Sequence, residues 1–235
     1  MLNKPQSYDF SLQKKEMLSE FGYQIYRSVC DSSELASLRL EADSVARDAG
    51  TVCVRHLRKR SEIFRSLACS DLIRKLLPSG LRPVRSILFD KTPDENWPVP
   101  WHQDITIAVR ERCAVEGYGP WSSKDGSPHV QPPFELLQGM VTVRLHLDDT
   151  PIENGALSVI PRSHKIGKLS SEEVRRMPKS DYMNCECSAG DVLLMSPLIL
   201  HSSKRSMVVS RRRVVHFEFA RESDLDSDLD WFEKI

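Results

Sequence analysis

From about residue 84 onward the apolar residues of this chain recur at every second position, and that period constrains the fold more than any other feature. Val141, Val143, Leu145 and Leu147 alternate with Thr142, Arg144 and His146. Ile105, Ile107 and Val109 alternate with Asp104, Thr106 and Ala108. A period of two sends apolar side chains to one face of a strand and polar ones to the other. Shorter apolar runs follow at 157–160, 192–195, 198–200 and 214–219, separated by Gly, Pro and Asp. Many short strands with turn residues between them predict a jelly-roll barrel or sandwich.

The part before residue 80 reads as mainly helical. Asp31 with Glu34 three residues on forms a capping box, and Leu35, Leu38, Ala42 and Val45 follow at helical spacing before Gly50. A shorter helix is predicted over 71–77, stopped by Pro78 and Gly80. Ser170 and Glu173 make a second capping box for one helix inside the strand-rich part. The segment 111–137 differs, with three glycines and four prolines around Tyr118, Trp121 and His129. A loop of that length in a compact domain is predicted to act as a lid. No internal repeat or low-complexity linker interrupts the chain. One domain over 1–235 is therefore expected, with a helical part to about 80 and a jelly-roll core over about 84–220.

Composition excludes several classes. Lysine plus arginine equals aspartate plus glutamate at 33 each, so no global field favours nucleic acid or an anionic membrane. The basic run 55–60 is short enough to be a solvated face. No stretch approaches the ~20 apolar residues of a membrane span. MLNKPQSYDF lacks the apolar run of a secretory signal, which places the protein in the cytoplasm. The six cysteines show no framework spacing and are expected as free thiols, and the lone pair Cys185 and Cys187 is no zinc ribbon. No nucleic-acid or membrane partner is therefore expected.

His102-Gln103-Asp104 puts an imidazole and a carboxylate on one face of a strand. One more imidazole would complete a facial triad with open positions, the arrangement of non-haem Fe(II) oxygenases. His201, 97 positions after Asp104, ends a strand-like run and is the best third ligand. A second H-x-D, His146-Leu147-Asp148, has the same spacing, so spacing alone does not choose between the two. Arg212 lies 11 residues beyond His201, flanked by Arg211 and Arg213. On a strand Arg212 points opposite to its two neighbours, and an inward guanidinium needs an anion, matching a carboxylate bidentately.

These motifs resemble the phytanoyl-CoA dioxygenase family of Fe(II)/2-oxoglutarate oxygenases. The likeness rests on Pro100-Trp101-His102-Gln103-Asp104, on Asn154-Gly155-Ala156-Leu157 leading to Pro161-Arg162-Ser163-His164, on Ala189-Gly190-Asp191, and on His201-Ser202-Ser203 with the arginine at plus 11. Phe21-Gly22-Tyr23 before the capped helix also resembles the family's N-terminal segment. Arg162 departs from it, standing where the family usually has glycine. The resemblance implies a double-stranded β-helix (jelly roll), mainly β with flanking helices. It implies His102, Asp104 and His201 as iron ligands, and Arg212 with Ser203 at the distal carboxylate of 2-oxoglutarate. It implies Gln103 near the cosubstrate, and His146 and Asp148 as parts of a strand and its turn.

The implied reaction consumes 2-oxoglutarate and O2, releases succinate and CO2, and oxidises a small organic molecule by hydroxylation or by another oxidation such as desaturation or demethylation. Halogenating relatives have a small residue in place of the carboxylate, and Asp104 fills that position. Lys91, Trp121, His129 and Arg144 are candidate substrate contacts, each with an ordinary alternative as a loop anchor, salt-bridge partner or solvated charge. Two other readings use the same residues: a zinc or manganese jelly-roll isomerase or hydrolase, and a scaffold without oxygenase activity. Neither needs a carboxylate clamp at Arg212.

Overall fold

A computed structural model describes residues 17–234. The strands are, in chain order, β1 (Tyr23–Tyr26), β2 (Cys53–Arg55), β3 (Arg82–Lys91), β4 (Val99–His102) and β5 (Ile107–Ala108). Then come β6 (Trp121–Lys124), β7 (Ser127–Val130), β8 (Val141–His146), β9 (Leu157–Val159) and β10 (Met183–Cys185). The last are β11 (Val192–Met195), β12 (His201–Ser203) and β13 (Arg212–Ala220). A six-stranded sheet in the order β1-β11-β8-β13-β3-β2 faces a four-stranded sheet, β10-β9-β12-β4, and β5-β7-β6 form a third. Every pairing among the described strands is antiparallel. With helices on the outside, the architecture is the jelly roll that the strand pattern predicts.

The alternation in sequence separates the two faces of the large sheet. Val141, Val143 and Leu145 of β8 and Val215, Phe217 and Phe219 of β13 join the apolar cluster under the helices. That cluster also takes Leu35, Leu38, Ala42 and Val45 of α1 (Ser32–Ala49). Burying each Val, Leu or Phe of this cluster contributes about 1.5–3 kcal/mol. Both ends of α1 are as expected: Asp31 and Glu34 close the capping box, and Gly50 ends the helix in the left-handed region at φ 62°. On the other face, Arg144 of β8 and Arg212, Val214, His216 and Glu218 of β13 look inward between the sheets. Toward one end the interior is closed by Leu157, Val159, Leu193, Met195 and Ile199. The other end stays open as a cavity.

Several local expectations are corrected. The described N-terminal part is mainly helical as expected, but it also holds β1 and β2, which complete the two edges of the large sheet. Four- and three-residue strands are too short to carry a legible period. Further helices of this part are α2 (Leu57–Arg60), α3 (Glu62–Ala68) and α4 (Asp71–Arg74), the last ending before residue 77. Residues 103–106 leave the strand: β4 stops at His102, and the Asp104 amide donates to the Pro197 carbonyl at 2.8 Å. Residues 198–200 are not a strand either, and His201 begins β12 instead of ending a run.

The segment 111–137 is not one long loop but holds structure of its own. It holds the β6–β7 hairpin, the cis Gly119-Pro120 bond and the start of α5 (Phe134–Gly139). Val130, Leu136 and Leu137 are buried with Ile107, Val109 and Trp231, and that burial fixes the hairpin to the body. The second capping box does form, at Ser170 and Glu173 on α6 (Ser171–Arg176). Arg162 accepts the glycine-like φ of 68° because its backbone N–H bonds the Phe21 carbonyl at 2.9 Å and its side chain pairs Glu20 at 2.9 Å. All six thiols are unpaired. Among the described residues no helix is long and apolar enough to cross a membrane.

Candidate metal centre

β12 lies against β4 with His201 as the register partner of His102. Each histidine uses the same local device. The His102 Nδ1–H donates to the Pro100 carbonyl at 2.8 Å, and the His201 Nδ1–H donates to the Ile199 carbonyl at 2.9 Å. A backbone carbonyl two residues back thus fixes both tautomers and leaves both Nε2 atoms with free lone pairs. Those lone pairs converge on one carboxylate: His102 Nε2 lies 3.7 Å from Asp104 Oδ1, and His201 Nε2 lies 3.5 Å from Asp104 Oδ2. The three candidate ligand atoms lie within 4.8 Å of one another.

Three acceptors facing each other without a proton between them need a cation. His201 is buried, and burial first, then the neighbouring His102 against the pull of Asp104, lowers its pKa to about 4. It is therefore neutral at neutral pH, as a ligand must be. Burial would raise the Asp104 pKa, but His201 and then His102 hold it below the usual carboxylate range. Two neutral nitrogens and one ionised oxygen form the donor set of a 2-His-1-carboxylate site, and the residues fit an Fe(II) ion.

The second H-x-D does not converge in this way. His146 Nδ1 bonds the Thr150 hydroxyl at 2.8 Å inside the protein. Asp148 turns outward to Arg213, with side-chain bonds of 2.8 Å to both of its oxygens. Pattern alone could not separate the copies, because one spacing serves both and only the partners differ.

The arginine triplet divides as predicted. Arg211 pairs Asp90 and Asp43, and Arg213 pairs Asp148 and Asp43, both outside the barrel. Arg212 points into the cavity, where its Nη1 donates to the Gly155 carbonyl. A Cβ on Gly155 would lie 2.5 Å from the Lys204 carbonyl oxygen and 3.1 Å from Arg212 Nη1. The residue also sits at φ 69°, so both the space and the backbone require glycine. Burial first, then Arg144, lowers the Arg212 pKa to about 10. Ser203 borders the same pocket and accepts from Lys91 Nζ at 3.3 Å.

The cavity has a volume of about 360 Å³. Lys91 and Arg144 line it, as does Gln103, but the Gln103 amide is fully engaged elsewhere. Its Nε2 donates to the Gly167 and Leu198 carbonyls at 2.8 and 2.6 Å, and its Oε1 accepts from the Leu169 amide at 2.8 Å. Gln103 thus braces the chain behind the two flanking candidate ligands. Trp121 and His129 do not border the cavity. Trp121 packs on the cluster beneath the hairpin, under the Arg112 guanidinium. His129 is wholly buried and its Nδ1–H donates to the Ser127 carbonyl at 3.1 Å. From the hairpin it is Lys124 that reaches the cavity.

Three further cavity residues escaped the sequence reading. Arg85 pairs Glu218 at 2.9 Å, the His216 Nε2–H donates to Glu218 at 3.3 Å, and Arg144 Nη1 donates to His216 Nδ1 at 3.1 Å. Asp104, His216 and Glu218 have candidate ligand atoms within 4.8 Å of one another. With Arg85 and Arg144 already bonded to that cluster, it is an ion-pair network, not a second cation site. The signal for His216 and Glu218 was available in the sequence, since 212, 214, 216 and 218 alternate along one strand and must share a face.

A family model described as Phytanoyl-CoA dioxygenase (PhyH) matches residues 18–214. No curated protein sequence matches the chain. Among solved structures, the chain is similar to the non-heme alpha ketoglutarate dependent carbocyclase SnoK from nogalamycin biosynthesis. That pair shares 18% identity at a TM-score of 0.68, over 93% of this chain and 87% of SnoK. The epimerase SnoN, solved with Fe3+, alpha ketoglutarate and nogalamycin RO, gives 18% identity and a TM-score of 0.68 over 90% and 83%. HygX from Streptomyces hygroscopicus, solved with nickel, 2-oxoglutarate and hygromycin B, gives 19% and 0.64 over 89% and 87%. At these identities the likeness is one of fold.

Proposed function

The chain belongs to the phytanoyl-CoA dioxygenase family, and from that premise we propose that it is an Fe(II)- and 2-oxoglutarate-dependent oxygenase acting on a small organic molecule. His102, Asp104 and His201 would hold the iron, and Arg212 with Ser203 would receive the distal carboxylate of the cosubstrate. We take the chain as one oxygenase domain working in the cytoplasm. The observation that carries the reading is the pair of matched tautomer locks, which leave two imidazole lone pairs and one carboxylate facing a common point.

Bound at that point, the iron supplies the redox chemistry that couples loss of CO2 from the oxo-acid to oxidation of a C–H bond. The protein contributes position and polarity. β4 and β12 hold two ligands on a rigid strand pair, and Gln103 braces the segment between His102 and Asp104. Arg212 sits between the sheets, where a carboxylate's charge is poorly screened and a guanidinium bond is correspondingly strong. The Arg85–Glu218–His216–Arg144 network borders the remaining space and offers fixed donors and acceptors to a polar substrate. The volume of about 360 Å³ favours a small substrate, or the reacting end of a larger one.

Similar folds include a carbocyclase and an epimerase, so fold does not select the outcome. Asp104 fills the position that a halide would need, so hydroxylation or another oxidation such as desaturation or demethylation is favoured over halogenation. Anaerobic titration tests the reading directly. Fe(II) and 2-oxoglutarate added together should give a weak visible charge-transfer band that is missing with His102→Ala. Wild-type protein giving no band, with no succinate formed in air, would sink it.

A further inference from the structure

Lys91 and Arg212 are register partners on the neighbouring antiparallel strands β3 and β13, and both side chains enter the cavity. Like charges directly opposite each other across a strand pair repel. Both residues are buried, at 3% and 7% exposure. Among the described residues no carboxylate pairs with either. The groups facing Lys91 are Arg212 on β13, Arg144 on β8, the Ser203 hydroxyl on β12 at 3.3 Å, and the Trp97 carbonyl, to which its ammonium donates. The Trp97 ring lies 5.0 Å away and completes the enclosure. Burial, then Arg212, then Arg144 push the Lys91 pKa down to about 7. Two adjacent buried cations without an acid are costly in the empty protein, and an anion between them removes the cost.

We propose that Lys91 is the second cation of the cosubstrate clamp, so that the distal carboxylate of 2-oxoglutarate is held between Lys91 Nζ and Arg212, with the Ser203 hydroxyl beside them. This rests on the oxygenase reading and moves Lys91 from the substrate to the cosubstrate. One consequence is proton linkage. Lys91 is partly neutral near pH 7 in the free protein and charged beside the bound carboxylate. Affinity for 2-oxoglutarate therefore falls as pH rises above 7, by up to about tenfold per unit. Another is a conflict between stability and binding: removing the ammonium relieves repulsion in the empty protein and weakens the filled one.

The test is calorimetric titration of Mn(II)-loaded protein with 2-oxoglutarate at pH 6.5, 7.5 and 8.5, beside thermal melts of the metal-free form. Lys91→Met should lose about tenfold or more in affinity at pH 6.5, show a flat profile above pH 7, and melt at or above the wild-type temperature. Lys91→Arg should keep affinity within severalfold but lose the pH dependence, and it decides the matter if the methionine variant does not fold. Wild-type affinity in Lys91→Met would overturn the clamp, and so would a wild-type pH profile in Lys91→Arg. A lower melt without loss of affinity marks a purely structural lysine and equally overturns it. Wild-type protein that takes up no 2-oxoglutarate would instead remove the parent reading, and the clamp with it.

Discussion

His102 and His201 face each other across the β4–β12 pair with ring centroids 4.1 Å apart, each held by the carbonyl two residues before it. The arrangement makes the two histidines equivalent in role, while His146 differs from both. Replacing either His102 or His201 with alanine should abolish iron-dependent succinate formation. His146→Ala, whose partner is the Thr150 hydroxyl, should retain turnover per folded molecule. Succinate quantified after aerobic incubation checks this, and activity surviving in His201→Ala would remove that residue from the ligand set.

Arg212 is the second determinant. Its guanidinium is buried beside Arg144, and among the described residues no carboxylate neutralises it. Arg212→Met should raise the 2-oxoglutarate concentration needed for half-saturation by about ten- to hundredfold, which is ~1.5–3 kcal/mol for a hydrogen bond to a charged group. Metal uptake should be unchanged. An unaltered half-saturation point would place the cosubstrate carboxylate elsewhere.

The parts legible in the sequence are those where one local rule decides. Asp31 and Ser170 announce helix starts through their capping boxes, and β8 and β13 announce their faces through alternation. The arginine triplet follows from the same rule. The hairpin at 121–130 was missed because Trp121-Ser122-Ser123-Lys124 has little apolar contrast. Its signal was the turn itself: Asp125 at φ 47° and Gly126 at φ 73° are the Asp-Gly pair of a tight hairpin. His216 and Glu218 share the face of Arg212, but Arg85 on β3 carries no such signal. Polar residues on a strand read as solvent-facing until the barrel is known to hold a cavity.

Acid should destabilise the metal-free protein through its buried imidazoles. His129 is buried and does not line the cavity, and burial first, then Arg85, lowers its pKa to about 4 from 6.5. The folded pKa lies below the unfolded one, so between pH 6.5 and 4 the unfolded chain binds the extra proton. Stability contributed by the neutral His129 is complete above about pH 6.5 and is lost as pH falls through that window. The slope approaches ~1.4 kcal/mol per pH unit for each such group. Urea unfolding at pH 7.5 and 5 should show His129→Leu less acid-sensitive than wild type by up to one proton, and an identical slope would show that His129 protonates freely in the fold.

Gly155 ties the fold to the site without contacting any ligand. Its φ of 69° and the 2.5 Å approach that a Cβ would make to the Lys204 carbonyl oxygen leave no relaxed place for a side chain. The atom that would have to move on the other side is Arg212 Nη1, 3.1 Å from the same Cβ. Gly50 is the fitting control, because it has a similar φ of 62° but nothing within 4 Å of its Cβ. Gly50→Ala should cost only the left-handed backbone strain, ~1 kcal/mol, and leave 2-oxoglutarate affinity intact. Gly155→Ala should cost more, ~2–4 kcal/mol, and should also weaken 2-oxoglutarate binding by displacing the guanidinium. Denaturant midpoints and calorimetric titration of the two variants separate strain from site distortion. Equal stability loss in both, with affinity unchanged, would mean that the chain at Lys204 yields and that Arg212 does not depend on the turn beneath it.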